Sequence, residues 1–228
     1  MPRSAPTRRR RAEPARSGPV IIATASAQPR RPARANGRAR YAQLLDAAER
    51  LIGRHGTARL GIRNLAREAR VPMASVYHFF PRPAAISVAL AERYIEGLAA
   101  AVERPIRAHE TLGWEAIVRV LVDRGVEYYR EHPFAQALLL GSEHSWHIRQ
   151  SDVAGNRRFA VSITALLAGH FPRVDRQELH EAVIVGVTLC DAVLALGVVE
   201  EGEITPLHGR EAHTAICGYL TRKFGAGG

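Results

Sequence analysis

The sequence predicts an all-α protein, a three-helix head near the amino end followed by a larger helical body, and three observations carry that expectation. Apolar residues recur at i, i+3, i+4 and i+7 through residues 41–80 and in further stretches beyond Pro83, whereas no stretch alternates with the period of two that a strand requires. Pro105, Pro133, Pro172 and Pro206 fall between those later stretches, where a residue lacking an amide proton ends a helix without breaking one. With 228 residues and 46% hydrophobic content, the chain can bury the core of one small and one larger helical unit.

In chain order, residues 1–38 read as a disordered arginine-rich arm, 39–82 as a helix-turn-helix domain and 83–228 as the helical body. Tyr41, Leu44, Leu45, Ala48, Leu51 and Ile52 line one face of a first helix, which Arg54-His55-Gly56 ends with a basic last turn and a glycine stop. In the second helix Ile62, Leu65, Ala66 and Ala69 share a face, leaving Arg63, Asn64 and Arg67 off it and the basic groups free for phosphate. Val71-Pro72 stops that helix near Arg70, because the residue before a proline is pushed out of α geometry, and Pro72 suits the start of the next helix. The third helix, Met73 to about His78, carries Ala74, Ser75, Tyr77 and His78, small or hydrogen-bonding groups that let a backbone approach DNA closely. Phe79 and Phe80 anchor it to the core. Two short helices joined by a tight turn are the geometry that places the second of them in the major groove.

The segment from Ile62 to Phe80 resembles the DNA-binding signature of the TetR family of bacterial transcription regulators, carried here by Leu65-Ala66, Val71-Pro72 and Val76-Tyr77-His78-Phe79-Phe80. The resemblance is specific over roughly residues 40–90 and general beyond them. It implies a homodimer that binds double-stranded operator DNA and, as a repressor, releases it when a small-molecule effector enters the body. Three positions depart from the family pattern. Gly61 stands where a threonine usually caps the second helix, so a side-chain acceptor is lost. Arg70 takes a turn position where glycine is common and is expected at positive φ, offset by phosphate contact. Pro83 replaces a lysine that touches the DNA backbone, with Arg82 as the substitute. The expected interface therefore comprises Ala74 and Ser75 toward the bases, Tyr77 on phosphate, His78 on phosphate or a base edge, and Arg63, Arg67, Arg70 and Arg82 neutralising the backbone, with Arg40 and Met73 also counted among the DNA-binding residues.

Past Pro83, Ile86, Leu90, Tyr94 and Leu98 suit a long fourth helix tying head to body, Trp114 to Arg130 a fifth, and 134–140 and 153–170 shorter ones. From Ala182 to Val199 the only charge is Asp191, so this helix must be covered over most of its surface. A membrane span is the competing explanation, set against it by about 2.5–3.5 kcal/mol for an aspartate at mid-span and by the acidic Glu200, Glu201 and Glu203 that follow. The expected cover is a second copy, with Leu207–Phe224, where Ile216, Tyr219 and Leu220 share a face, completing a two-helix hairpin that pairs as a four-helix bundle. Tyr94, Trp114, Tyr128, Phe134, Trp146 and Phe159 are candidate effector-lining residues, each also readable as ordinary core.

The charge of +10 lies wholly in the arm: residues 1–40 hold eleven arginines and one acid, Glu13, and the rest of the chain balances. Such an arm cannot offset its ordering entropy by burial; it either adds a salt-dependent, sequence-independent DNA contact or is a solvated tail. A secretory signal is mimicked by Arg8 to Arg11, Val20-Ile21-Ile22 and Ala25-Ser26-Ala27, but the apolar run is too short and is flanked by prolines, so a cytoplasmic, nucleoid-associated protein is expected. Cys190 and Cys217 lack metal or disulfide spacing, and His144 and His147 beside Glu143 lack a third ligand, so neither metal nor cofactor is expected. No nucleophile elbow, zinc-protease, phosphate-loop or dinucleotide motif is present, so an enzyme is the weaker reading; a non-specific, arm-driven DNA binder is the other alternative.

Overall fold

The computed structural model describes residues 28–106, 111–141 and 146–225, with the side chains of 146, 147, 149 and 152 outside it. Among the described residues the chain is all-α: α1 (Ala35–His55), α2 (Ile62–Ala69), α3 (Met73–Phe79), α4 (Pro83–Val102), α5 (Trp114–Glu131), α6 (Pro133–Leu140), α7 (Trp146–Leu167), α8 (Arg176–Glu200) and α9 (Pro206–Phe224).

α1, α2 and α3 form the head. Leu44, Leu45, Ala48, Leu51 and Ile52 of α1 meet Ile62, Leu65, Ala66 and Ala69 of α2, all buried, and Val76, Phe79 and Phe80 close the wedge. Tyr41 sets its ring against both phenylalanines, with centroids 5.7 and 5.2 Å away. α1 ends at Gly56, whose φ of 69° only glycine adopts without cost. α2 ends in a Schellman turn: the N–H of Val71 donates to Ala66 O at 2.9 Å and that of Arg70 to Arg67 O at 3.2 Å, with Arg70 left-handed at φ 54°. Gln43 adds a bond from α1, its Nε2 donating to Ala69 O at 3.0 Å.

Two expectations need correction here. The first helix begins at Ala35, before the apolar pattern does, because a helix continues without apolar residues where the chain stays clear of proline. The stretch 28–34 is not structureless: the N–H of Arg30 donates to Phe79 O at 2.8 Å, and Arg31 reaches Glu92 at 2.9 Å and Glu96 at 3.4 Å on α4. The carboxylates that tie down the arm's root lie some sixty residues along the chain, so local composition did not reveal them. Residues 1–27 lie outside the described residues.

α4 runs from the head into the body, where α5 and α7 pack on it, α8 packs on α6 and α7, and α9 packs on α5 and α8. α7 starts at Trp146, seven residues earlier than expected, because Trp146 and Ile148 are the only apolar residues in its first two turns, too few to set a helical period. α8 is capped by Asp175, whose carboxylate accepts from the N–H groups of Gln177 and Glu178 at 2.8 and 3.1 Å. α8 and α9 approach closely at Gly197, where a Cβ would fall 2.6 Å from the His208 ring.

Among the described residues α8 is the one helix long and apolar enough to cross a membrane. Its Leu179, Ala182, Val183, Gly186, Leu194 and Gly197 are packed into the core, and this is the arrangement of a body helix. The expectation that most of its surface is covered is not met within one chain: Val185, Thr188, Ala192, Leu196 and Val199 form an exposed stripe along it.

Candidate nucleic-acid interface and effector cavity

The geometry of α3 follows from where its apolar residues fall. Val76 is fully buried and Phe79 nearly so, which clamps the helix to the head by one side. The opposite side presents Met73, Ala74, Tyr77 and His78 to solvent, with Met73 46% and Tyr77 50% exposed and Ser75 half-buried beside them. His78 is steadied by an edge contact to Phe79, centroids 4.7 Å apart. The exposed Met73 and Tyr77 thus stand side by side on the outward face of a firmly held helix.

Arg40, Arg63, Arg67, Arg70 and Arg82 are all exposed. Arg67 is oriented by Asn64, whose Oδ1 accepts at 3.2 Å, and Arg40 by Gln43 Oε1 at 3.2 Å. By contrast Arg50 and Arg54 both engage Glu68, and their hydrogen bonds and charge hold its carboxyl below the usual carboxylate range. The head thus separates cations that are internally neutralised from cations that are not. Arg82 precedes α4 in extended geometry with Pro83 at the first helical position. Arg30 and Arg31, which sequence reading assigned only to the arm, place its root beside the carboxyl end of α3. α4 is locked to α1 by Arg93, whose guanidinium lies 2.6 Å from Asp46 and 3.6 Å from Glu49.

The body encloses a cavity of about 90 Å³ whose walls come from α4, α5, α7, α8 and α9. Of the six aromatic residues expected to line it, Phe159 does, whereas Tyr94, Trp114, Tyr128 and Phe134 lie elsewhere for identifiable reasons. Tyr94 and Phe134 meet at 6.0 Å and Tyr128 stacks on His132 at 4.3 Å, a separate aromatic cluster in which Tyr128 Oη donates to Tyr94 O at 3.0 Å. Trp114 packs on Phe171 at 5.5 Å. The side chains of Trp146 and His147, with Glu143 and His144, lie outside the described residues, so the expected histidine pair does too. No cluster able to hold a metal occurs among the described residues. Sequence reading missed Asn156, Cys190 and Asp191 of the cavity wall, although one charge retained in an otherwise apolar helix was the available signal. Asn156 Nδ2 donates to Asp191 Oδ2 at 2.7 Å, and burial, with the Asp191 charge, pushes the Cys190 thiol up so that it stays protonated.

A helix-turn-helix head with an exposed second helix, tied by one long helix to a hollow helical body, defines a DNA-binding regulator. A family model described as bacterial regulatory proteins, tetR family, matches residues 44–86, and one described as tetracyclin repressor-like, C-terminal domain, matches residues 112–224. The chain belongs to the TetR family of bacterial transcription regulators. Among solved structures it is similar to a TetR-family transcriptional regulator from Streptomyces coelicolor, at 27% identity and TM-score 0.58, covering 80% of this chain and 98% of that one. SmeT, the repressor of the Stenotrophomonas maltophilia multidrug efflux pump SmeDEF, shares the fold at 18% identity and TM-score 0.54, over 79% and 88% of the two chains. The fatty acid degradation regulator FadR from Bacillus halodurans does so at 16% and 0.57, over 78% and 94%. The comparison with curated proteins found no match.

Proposed function

We propose that this regulator is a cytoplasmic homodimeric repressor whose two heads bind a near-palindromic operator and leave it when a small molecule occupies the body. The exposed, largely apolar stripe Val185, Thr188, Ala192, Leu196 and Val199 on α8 carries the proposal, because apolar residues at this spacing on an outer helix face suit burial against a like surface. On α9 the exposed Thr214 and Gly218 are small enough to let a second copy approach; a Cβ at Gly218 would meet nothing within 4 Å in one protomer. Two heads related by a twofold axis read half-sites about one helical turn apart.

In this reading Met73, Ala74 and Ser75 approach base edges, Tyr77 and His78 contact phosphate or the groove floor, and Arg40, Arg63, Arg67, Arg70 and Arg82 neutralise the backbone. Operator release requires only that the effector prefer the conformation in which the heads do not fit adjacent half-sites. α4 is the lever, since it borders the cavity at Leu98 and Val102 and grips the head through Arg93.

The test combines sedimentation of the full chain with footprinting on its own promoter fragment. A dimer that protects a near-palindromic site supports the proposal. A stable monomer at micromolar concentration, or protection without sequence preference, overturns it.

A further inference from the structure

Residues 28–34 cross the head as a short strap, and three contacts fix its course. Pro32 closes against the start of α1, where a Cβ on Gly37 would fall 2.8 Å from the Pro32 Cβ. Arg31 spans to α4, 2.9 Å from Glu92 and 3.4 Å from Glu96, and the Glu92 side chain is only 18% exposed. The N–H of Arg30 donates to Phe79 O at 2.8 Å, satisfying a carbonyl that the last turn of α3 leaves without a helical partner. Followed toward the amino end, the chain therefore passes from the start of α1 over α4 to the end of the reading helix. Pro29 and Pro32, both half-buried, fix two φ angles along this path, so its direction is set before any partner arrives. Ahead of it stand residues 1–27, with six arginines and one acid.

From this we infer that the strap aims the arginine-rich amino-terminal segment at DNA phosphates beside α3, with Arg31 as its tether and Arg30 and Arg34 as the first contacts of a sequence-independent interface. The inference rests on the operator reading above and adds a second DNA contact to it. The arginines sort by what already holds them. Arg31 is neutralised by two carboxylates, whereas Arg30 and Arg34 are exposed and their guanidinium groups have no protein partner among the described residues. Ordering a backbone costs about 1–2 kcal/mol per residue, so a root fixed in advance lessens what is lost when the chain ahead of it settles on DNA. Length is not limiting, because residues 1–27 in full extension reach about 90 Å, well past one helical turn of duplex. The tether also has a signature of sign. Glu92 and Glu96 repel phosphate by charge, yet as the anchor of the strap they strengthen DNA binding.

The experiment measures binding of the full-length protein to its own promoter fragment across a salt series, with Arg3, Arg8, Arg9, Arg10, Arg11 and Arg16 either intact or all changed to glutamine. Neutralising them should make the slope of log K against log salt shallower by at least about 0.9 per head, one phosphate contact. Glu92→Gln with Glu96→Gln removes two negative charges per head, which by charge alone tightens DNA binding. Loss of the tether should instead weaken it about two- to fivefold, the scale of an exposed ion pair. Gly37→Ala alters no charge but displaces Pro32, and should weaken binding comparably with helicity kept. Both losses should shrink when the six arginines are neutralised. A salt slope unchanged by that neutralisation, binding at wild-type strength or tighter in the glutamine pair, or equal losses with and without the six arginines overturns the inference. Loss of sequence preference on neutralising the arm upholds the strap and overturns the operator reading instead. Retained preference with an unchanged slope does the reverse.

Discussion

Arg70 offers a perturbation in which stability and DNA binding should move in opposite directions. It occupies the left-handed position of the Schellman turn between α2 and α3, at φ 54° and ψ 47°, the only non-glycine at positive φ among the described residues. For a residue with a Cβ this conformation costs about 1–2 kcal/mol, and glycine escapes that cost while losing about 0.4–1 kcal/mol to its greater freedom in the unfolded chain. Arg70→Gly should therefore stabilise the protein by roughly 0.5–1 kcal/mol, a rise in Tm of about 2 °C for a chain of this length. The guanidinium is exposed and has no protein partner in the described structure, so its removal forfeits no internal bond. On DNA, loss of one phosphate contact per head should make the slope of log K against log salt shallower by about 0.9 per head, near 1.8 for a dimer. Arg70→Ala separates the two effects: it loses the cation yet keeps the backbone strain, so the slope should fall equally and Tm should not rise. The measurements are thermal unfolding and operator binding across a salt series. A Tm for Arg70→Gly no higher than that of Arg70→Ala would refute the strain argument, and an unchanged salt slope in both would remove Arg70 from the phosphate contacts.

Three further outcomes are expected. Leu196→Glu, at a half-exposed position of the α8 stripe, should leave the protomer's helicity intact and convert the dimer to monomer, since an unpaired charge buried at an interface costs about 3–5 kcal/mol; sedimentation showing an intact dimer would count against the stripe. Tyr77→Phe should weaken operator binding about two- to tenfold through loss of one hydrogen bond, and His78→Ala comparably, with circular dichroism unchanged; wild-type affinity in both would move the interface away from α3. Burial pushes the hydroxyls of Tyr41 and Tyr128 up to about 12, so the fold favours their neutral forms. Their contribution is complete below pH 10 and is lost as pH rises toward 12, because the unfolded chain ionises first. Near-ultraviolet titration should show these two ionising only with alkaline unfolding, and Tyr41→Phe should shift that unfolding to higher pH.

The head was legible in the sequence because its determinants are local. Ile62, Leu65, Ala66 and Ala69 share a face by spacing alone, Pro72 stops one helix and opens the next, and Val76 with Phe79 decides which side of α3 looks outward. Even the strained Arg70 followed from a turn that needs a left-handed residue within two positions of a proline. The hydrophobic character of α8 and the oddity of Asp191 were equally visible, since periodicity and composition are properties of neighbours along the chain.

What only the tertiary structure decided is which helices meet. Asp191 acquires Asn156 as a partner from 35 residues away, and the arm's root acquires Glu92 and Glu96 from more than sixty. Three of the aromatic residues that looked like pocket lining instead pack in a separate cluster, Tyr94 with Phe134 and Tyr128 with His132, because large rings fill space wherever helices cross. The cavity is bordered by small groups on different helices, such as Gly125 of α5 and Gly186 of α8. An unfilled volume is a property of five packed surfaces at once, and no periodicity within a single helix encodes it.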